Sequence, residues 1–340
     1  MKSFHLSAVF LFACCIFISA CGLPEDEGAK EAKKKELKED FRTYLLLGTS
    51  SPGGTYFPLG QEIASVIQNN APVEGLDVSA IATAASKENL ERISIEELQL
   101  GMTIHIHAKE ASEGTGDYED AKVENLGFFG QLYPEIMQIV TLGETGILSI
   151  SELQGKKVAI GPKKSGSHDA AKQILEVHGV HDGDYEAIEV DIEEAKKMLQ
   201  EGRIDALFSF LGLPNNVIND LQTATEDVKF LEITDDGLEQ LQKTTGYDPF
   251  IINDTSYDWL ETEASTITAY AILVGSTSQI DEEVGYEITK ALYENASYIT
   301  HPQGKFITKN NALKGSKGIK LHPGAKKYFE EEGLLEEKKE

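Results

Sequence analysis

The chain has 340 residues, 41% of them hydrophobic, with 57 acidic against 31 basic residues and a formal net charge of −26. That length and apolar share suit two domains or two lobes with ordinary globular cores. The charge argues against nucleic acid as a partner, because a polyanion would be repelled; acidity of this kind speaks of solubility and surroundings, not of fold.

The first elements in chain order are not part of a fold. Lys2 is a minimal charged start, and Leu6 to Ile18 is an apolar run. It is too short to span a bilayer core of roughly 30 Å, so residues 1–20 read as an export signal. The run ends in Ile18-Ser19-Ala20-Cys21, which resembles the bacterial lipobox, in which the cysteine is lipidated and becomes the new N-terminus. The plainer alternative is an ordinary signal peptide with an incidental cysteine. The cysteines are Cys14, Cys15 and Cys21, so only Cys21 survives cleavage and no disulfide framework is expected. Residues 21–40 are charged and almost free of large apolar side chains. They read as a tether to the membrane, with a short solvated helix over Ala29–Lys38 compatible with that role.

A repeated grammar follows. Apolar run, Gly/Ser/Thr loop and helical pattern succeed one another in four places. These are Tyr44–Ser50 into Gln61–Gln68, Leu76–Ile81 into Lys87–Ile93, Lys157–Ile160 into His168–Val177, and Asp205–Phe210 into Asn215–Leu221. Such units predict parallel βα structure, with Ser86 and Ser167 where helix N-caps belong. The class is α/β. The loops then lie at the carboxyl ends of their strands, where open sheets bind ligands. Backbone N–H groups and helix N-termini can hold an anion there without a cationic side chain. Arg42, Arg92 and Arg203 are the only arginines, and none lies in these loops. A carboxylate would therefore be held by amides and hydroxyls, or by Lys163 or Lys164. Between the units, Gly127–Val140 reads as a long strand that crosses from one lobe to the other, and Thr266–Gly275 as one that crosses back. Trp259 reads as packing.

Familiar catalytic chemistry finds no full set. Gly48-Thr49-Ser50-Ser51-Pro52-Gly53-Gly54 begins like a P-loop, but Gly54 stands where the phosphate-binding lysine belongs. Ser165, His168 and Asp169 are sequence neighbours, and neighbours rarely converge as a triad; the G-x-S-x-G elbow is missing. His105-Ile106-His107 would put two imidazoles on one strand face, yet no second motif supplies further ligands. The expectation is a binding protein with no catalytic residues, no metal and no cofactor.

These residues resemble the TAXI (TRAP-associated extracytoplasmic immunogenic) solute receptors of TRAP transporters. Gly48–Gly60 is similar to that family's opening loop, with one extra residue before the glycine pair. Thr83–Leu90, Gln131–Glu135, Lys156–Gly161 with Ser165-Gly166-Ser167, Asp205–Pro214 and Leu321–Tyr328 are similar to its later motifs, in order and spacing. Together they cover most of residues 43–336. The resemblance implies a type II, two-lobed periplasmic-binding-protein-like fold, each lobe a mixed sheet flanked by helices, with the ligand cleft between them. The expected division is 41–132 for the first lobe, 133–265 for the second, and 266–340 for the returning strand and C-terminal helices packing across both. It also implies an anchored receptor that hands a small solute, such as glutamate or a related acid, to membrane permease subunits. A receptor that presents its solute to a signalling partner is the alternative.

The expected ligand-binding residues are Gly54, Thr55, Tyr56, Thr83, Ala85, Ser86, Asn89, Gln131, Tyr133, Ser165, Gly166 and Ser167. Turn packing is the competing role for Thr55 and Tyr56, capping for Ser86, Ser167 and Asn89, and lobe packing for Tyr133. The chain departs from the family at Met102–His107, where a Q-x-D strand end is usual. His105 or His107 could then touch the solute and make binding sensitive to pH.

Overall fold

A computed structural model describes residues 41–335. The signal segment 1–20, the tether 21–40 with Cys21, and the tail 336–340 lie outside the described residues. From Phe41 onward the chain forms one unit.

Strand β1 (Tyr44–Gly48) leads into helix α1 (Tyr56–Asn70), β2 (Asp77–Ile81) into α2 (Ser86–Ser94), and β3 (Leu100–Ile104) into α3 (His105–Glu113). The long β4 (Leu126–Leu142) follows. The second set is β5 (Lys157–Ala159), α4 (Gly166–Val177), β6 (Glu186–Ile188), α5 (Ile192–Gln200), β7 (Ala206–Leu211) and α6 (Asn216–Thr225). After β8 (Val228–Phe230), α7 (Asp235–Thr245) and β9 (Asp248–Ile252) comes the second long strand, β10 (Ala264–Ser276). Helices α8 (Glu282–Glu294) and α9 (Pro323–Glu331) close the order.

The sheet runs β2-β1-β3-β10-β4-β7-β5-β6. β1 lies parallel to β2 and β3, and β5 parallel to β6 and β7, as the βα units require. β4 and β10 run antiparallel to their neighbours and through both halves. Residues Leu126–Ile136 of β4 pair with β10, and Ile136–Thr141 pair with β7, so the strand passes between lobes at Ile136. Nearly every residue of β4 is buried. Helices cover both faces, so its sequence is almost continuously apolar, with no alternation.

The first-lobe core joins Leu45, Leu47, Ile63 and Leu100 to Ile288, Leu292 and Phe329 of the C-terminal helices. The second lobe has a core on each face of its sheet, one around Val158, Ile174 and Phe208, the other around Leu199, Leu207 and Leu221. Helices α8 and α9 thus belong to the first-lobe core. A hydrogen bond to the second lobe from this part of the chain is made by Gln303, whose Nε2 donates to the Leu213 carbonyl at 3.1 Å.

Two local expectations are corrected. Ser86 and Ser167 are not N-caps. Ala85 occupies that position in α2, and Ser165 caps α4, its Oγ accepting from the His168 amide at 3.2 Å. Tertiary hydrogen bonds decide: Ser86 Oγ accepts from the Ile104 amide at 3.2 Å and Ser167 Oγ from the Phe210 amide at 2.9 Å. Nor do His105 and His107 share a strand face. β3 ends at Ile104, its last pairing with β10, and α3 begins at His105. Ala108, Lys109, Glu110 and Ala111 are strong helix formers and carry the chain away from the sheet.

Candidate functional site

The cavity between the lobes sits where the four loops meet. Ser50, Ser51, Gly54, Thr55, Tyr56, Ala84, Ala85 and Ser86 form the first-lobe wall. Pro162, Ser165, Gly166, Ser167, Ile192, Ser209, Phe210 and Leu211 form the opposite wall, and Glu135 of β4 lies between them. Its volume is about 50 Å³, room for roughly three to five water-sized groups.

Of the residues expected from sequence, Gly54, Thr55, Tyr56, Ala85, Ser86, Ser165, Gly166 and Ser167 come together on this cavity. Thr83, Asn89, Gln131 and Tyr133 do not line it. Thr83 Oγ1 donates to the Thr49 carbonyl at 2.9 Å, and Asn89 Nδ2 donates to the Thr49 and Met102 carbonyls, both at 2.8 Å. Both brace the loops from behind. Gln131 faces the wrong way for a reason the sequence hides. Across from Ala271 and Ile272 stand Tyr133 and Gln131, so Leu132 is an extra, bulged residue. Ala271 and Ile272 point to opposite faces, so the bulge sends Gln131 and Tyr133 to opposite faces too. Gln131 packs instead beside Tyr293, whose hydroxyl donates to the Gln131 carbonyl at 2.8 Å.

Donors dominate the second wall. Ser165 and Ser167 each accept a backbone amide through Oγ, as does Ser86 across the cavity. A hydroxyl held as an acceptor in this way keeps one O–H free to donate. The Gly166 and Ser167 amides open α4 and have no acceptor within the helix. An added Cβ on Gly166 would stand 3.1 Å from Ile104 Cδ1 and 3.4 Å from Ser86 Oγ, so the bare backbone lets the lobes approach here. Ala85 holds φ at +85° beside the cavity, a strained conformation for a residue with a Cβ.

Glu135 is the residue that sequence reasoning misses. It is 4% exposed. Tyr56 donates to its Oε2 at 2.8 Å and Tyr133 to its Oε1 at 2.9 Å. Burial lifts its pKa to about 7, against the two tyrosine hydrogen bonds, which favour the charge. Both phenols are pushed well above their usual range, chiefly by burial, and so stay donors. The readable signal is that Glu135 is the one charged residue in the 17 of β4.

Among the described residues, no Lys, Arg or His lines the cavity. Lys163 pairs with Glu189 and Lys164 with Glu91. His105 Nδ1 accepts from the Tyr270 amide at 3.1 Å, and burial pushes its pKa down to about 4. His107 lies 3.3 Å from Glu110 and 3.6 Å from Asp169, away from the cavity. His168 turns its ring to Asp169 and Glu189. Since both ring nitrogens of His168 face carboxylates and neither is paired with a serine Oγ, Ser165, His168 and Asp169 are not arranged as a triad here.

The lobes are clasped in this form. Thr55 Oγ1 accepts from the Gly212 amide at 2.9 Å. The Lys164 carbonyl accepts from the Lys87 and Glu88 amides at 3.0 and 3.3 Å, occupying the N-terminus of α2. Lys87 reaches Asp169 at 2.8 Å. Burial opposes the Asp169 charge, but hydrogen bonds from His168 and Lys87 outweigh it and hold the carboxyl at about 2.

A model of the NMT1-like family matches residues 47–333. The chain belongs to the NMT1-like family. A solved protein from Bordetella bronchiseptica RB50 is 16% identical to this NMT1-like chain with a TM-score of 0.51, covering 86% of this chain and 98% of the other. The alkanesulfonate-binding protein SsuA from Xanthomonas axonopodis pv. citri, bound to MOPS, is 14% identical with a TM-score of 0.46, covering 87% and 81%. The GluR0 ligand-binding core from Nostoc punctiforme, in complex with L-glutamate, is 20% identical with a TM-score of 0.42, covering 75% and 95%. The fold of this NMT1-like chain is α/β, a mixed sheet flanked by helices, like that of the Bordetella protein. No helix among the described residues is long and apolar enough to cross a membrane.

Proposed function

We propose that the chain is the extracytoplasmic solute receptor of a TRAP transporter, anchored by lipid on Cys21, that binds a small carboxylate-bearing solute such as glutamate or a related acid and delivers it to the membrane permease. The observation that carries the binding reading is the cavity between clasped lobes, with Gly166 and Ser167 amides and anchored serine hydroxyls on one wall. Amides and hydroxyls fixed in this way hold an anion without a counter-charge. The TAXI-like motifs support the transporter and the acid class, and the lipobox-like end of the signal supports the anchor. A cavity of about 50 Å³ is small for such a solute, so binding is expected to involve parting of the lobes, by hinge motion of the kind two-lobed proteins use.

The test uses the chain from residue 22 onward. Its melting temperature is followed against organic acids, amino acids, sugars and peptides. A ligand at 100 times its Kd stabilises by about 2.7 kcal/mol, so an acid or amino acid should give a clear rise. A rise with sugars or peptides alone would remove the carboxylate reading. Uptake by membranes carrying the permease, driven by an ion gradient and dependent on added receptor, tests the transporter role. Release of the full chain from membranes by Cys21→Ser tests the anchor.

A further inference from the structure

The cavity is polarised. Its second-lobe wall presents hydroxyl and amide donors, and Glu135 sits between the walls as an acceptor. Each Glu135 oxygen takes one tyrosine O–H, and a carboxylate oxygen has room for a further donor. Among the described residues no Lys, Arg or His comes within ion-pair distance of it. The groups that face it are Tyr56 from α1, Tyr133 from β4 and, farther off, Tyr247 after α7. All are neutral donors or hydroxyls. A buried carboxylate without a cationic partner is costly, and the solute is what can bring that partner.

We propose that Glu135 is the specificity-determining residue of the cavity and that it reads a cationic nitrogen on the solute, so that the site takes an ammonium-bearing acid in preference to the same acid without nitrogen. This rests on the receptor reading above and narrows its solute class. Burial favours the neutral acid and the two tyrosine donors favour the carboxylate, so above about pH 7 the carboxyl is an acceptor that can pair with an ammonium. The ammonium against Glu135 and the carboxylate against the Gly166 and Ser167 donors then each meet groups of opposite polarity. Tyr133 is a positioning residue in this scheme, because it touches Glu135 and not the cavity.

The test measures Kd by calorimetry for matched probes: alanine against propionate, aspartate against succinate, glutamate against glutarate, and the amines ethylamine and putrescine. The expected result is that at about pH 7.5 the amino acid of at least one pair binds at least about tenfold tighter than its partner. Glu135→Gln should erase most of that preference. On the wild-type chain, affinity for the amino acid should rise between about pH 5.5 and 7.5 as Glu135 ionises, with protons released on binding. This reading needs no variant and stands even if Glu135→Gln folds poorly.

Equal binding of the nitrogen-free acids, or binding of them that tightens as pH falls, overturns the proposal and leaves the carboxylate receptor intact. Binding of the amines with no acid or amino acid bound removes the carboxylate reading and keeps the role of Glu135. Binding of nothing from any class overturns both.

Discussion

The two walls of the cavity are built from the same grammar and put it to different uses. Ser86 and Ser167 stand at equivalent places, the first turn of a helix that follows a strand and a small-residue loop. Each hydroxyl is fixed by an amide from a neighbouring strand. Yet the N-terminus of α2 is already occupied by the Lys164 carbonyl of the other lobe, whereas α4 offers Gly166 and Ser167 to the cavity. Whether a helix N-terminus is free for a ligand is thus settled by what the rest of the chain places in front of it. The first-lobe wall is tied to the other lobe by backbone hydrogen bonds, and the second-lobe wall is the one left open to take the proposed anion.

The sharpest way to break that division is Asn89→Ala. Its side chain is fully buried and secures two carbonyls behind the first wall. Losing both hydrogen bonds and leaving a void should cost about 3 kcal/mol of stability in urea unfolding. The affinity of the folded fraction should change little. A large loss of affinity with stability intact would return Asn89 to the ligand. Ser167→Ala should do the reverse. It removes one donor to the anion, so affinity should fall about tenfold, the range of one charge-assisted hydrogen bond, with a stability change of about 1 kcal/mol from the freed Phe210 amide. Unchanged affinity would mean that the second wall does not hold the anionic group. Next in size is Ala85→Gly. Ala85 keeps φ at +85° at the N-cap of α2, a conformation glycine adopts freely. Relief of that strain should raise stability by about 1 kcal/mol; a fall would show that the Cβ packs for more than the strain costs.

The βα units are legible because their apolar runs and helical periods are local. The crossing strands are legible because a strand buried on both faces is a continuous apolar run. The site is legible as loops and not as side chains. Loop glycines and serines announce Gly54, Ser86, Ser165, Gly166 and Ser167, but the partner of each hydroxyl lies far off in sequence, Ile104 for Ser86 and Phe210 for Ser167. One bulge at Leu132 reverses the face of Gln131, and a bulge leaves no mark in an apolar run. The histidines mislead for a related reason. Their alternate spacing matches a strand, while the residues after them favour a helix, and the end of the β3 pairing decides. The proposed pH sensitivity of binding therefore rests on Glu135, which lines the cavity, and not on His105 or His107, which do not.

The smallest effect concerns the clasp itself. Lys164 contributes to it twice, through its carbonyl to the α2 amides and through its ammonium to Glu91 at 2.5 Å. The ion pair is half-exposed, with side chains 54% and 50% accessible, so solvent and salt screen it and Lys164→Met should cost less than about 0.5 kcal/mol. The carbonyl contact survives that substitution, because it belongs to the backbone. Small-angle scattering should therefore find the variant as compact as the parent, at low and high salt alike. An expanded variant, or a parent that opens in salt, would mean that charge and not backbone hydrogen bonding holds the lobes. The N-terminus of α2 would then be free for part of the time, and the two walls would differ in degree rather than in kind.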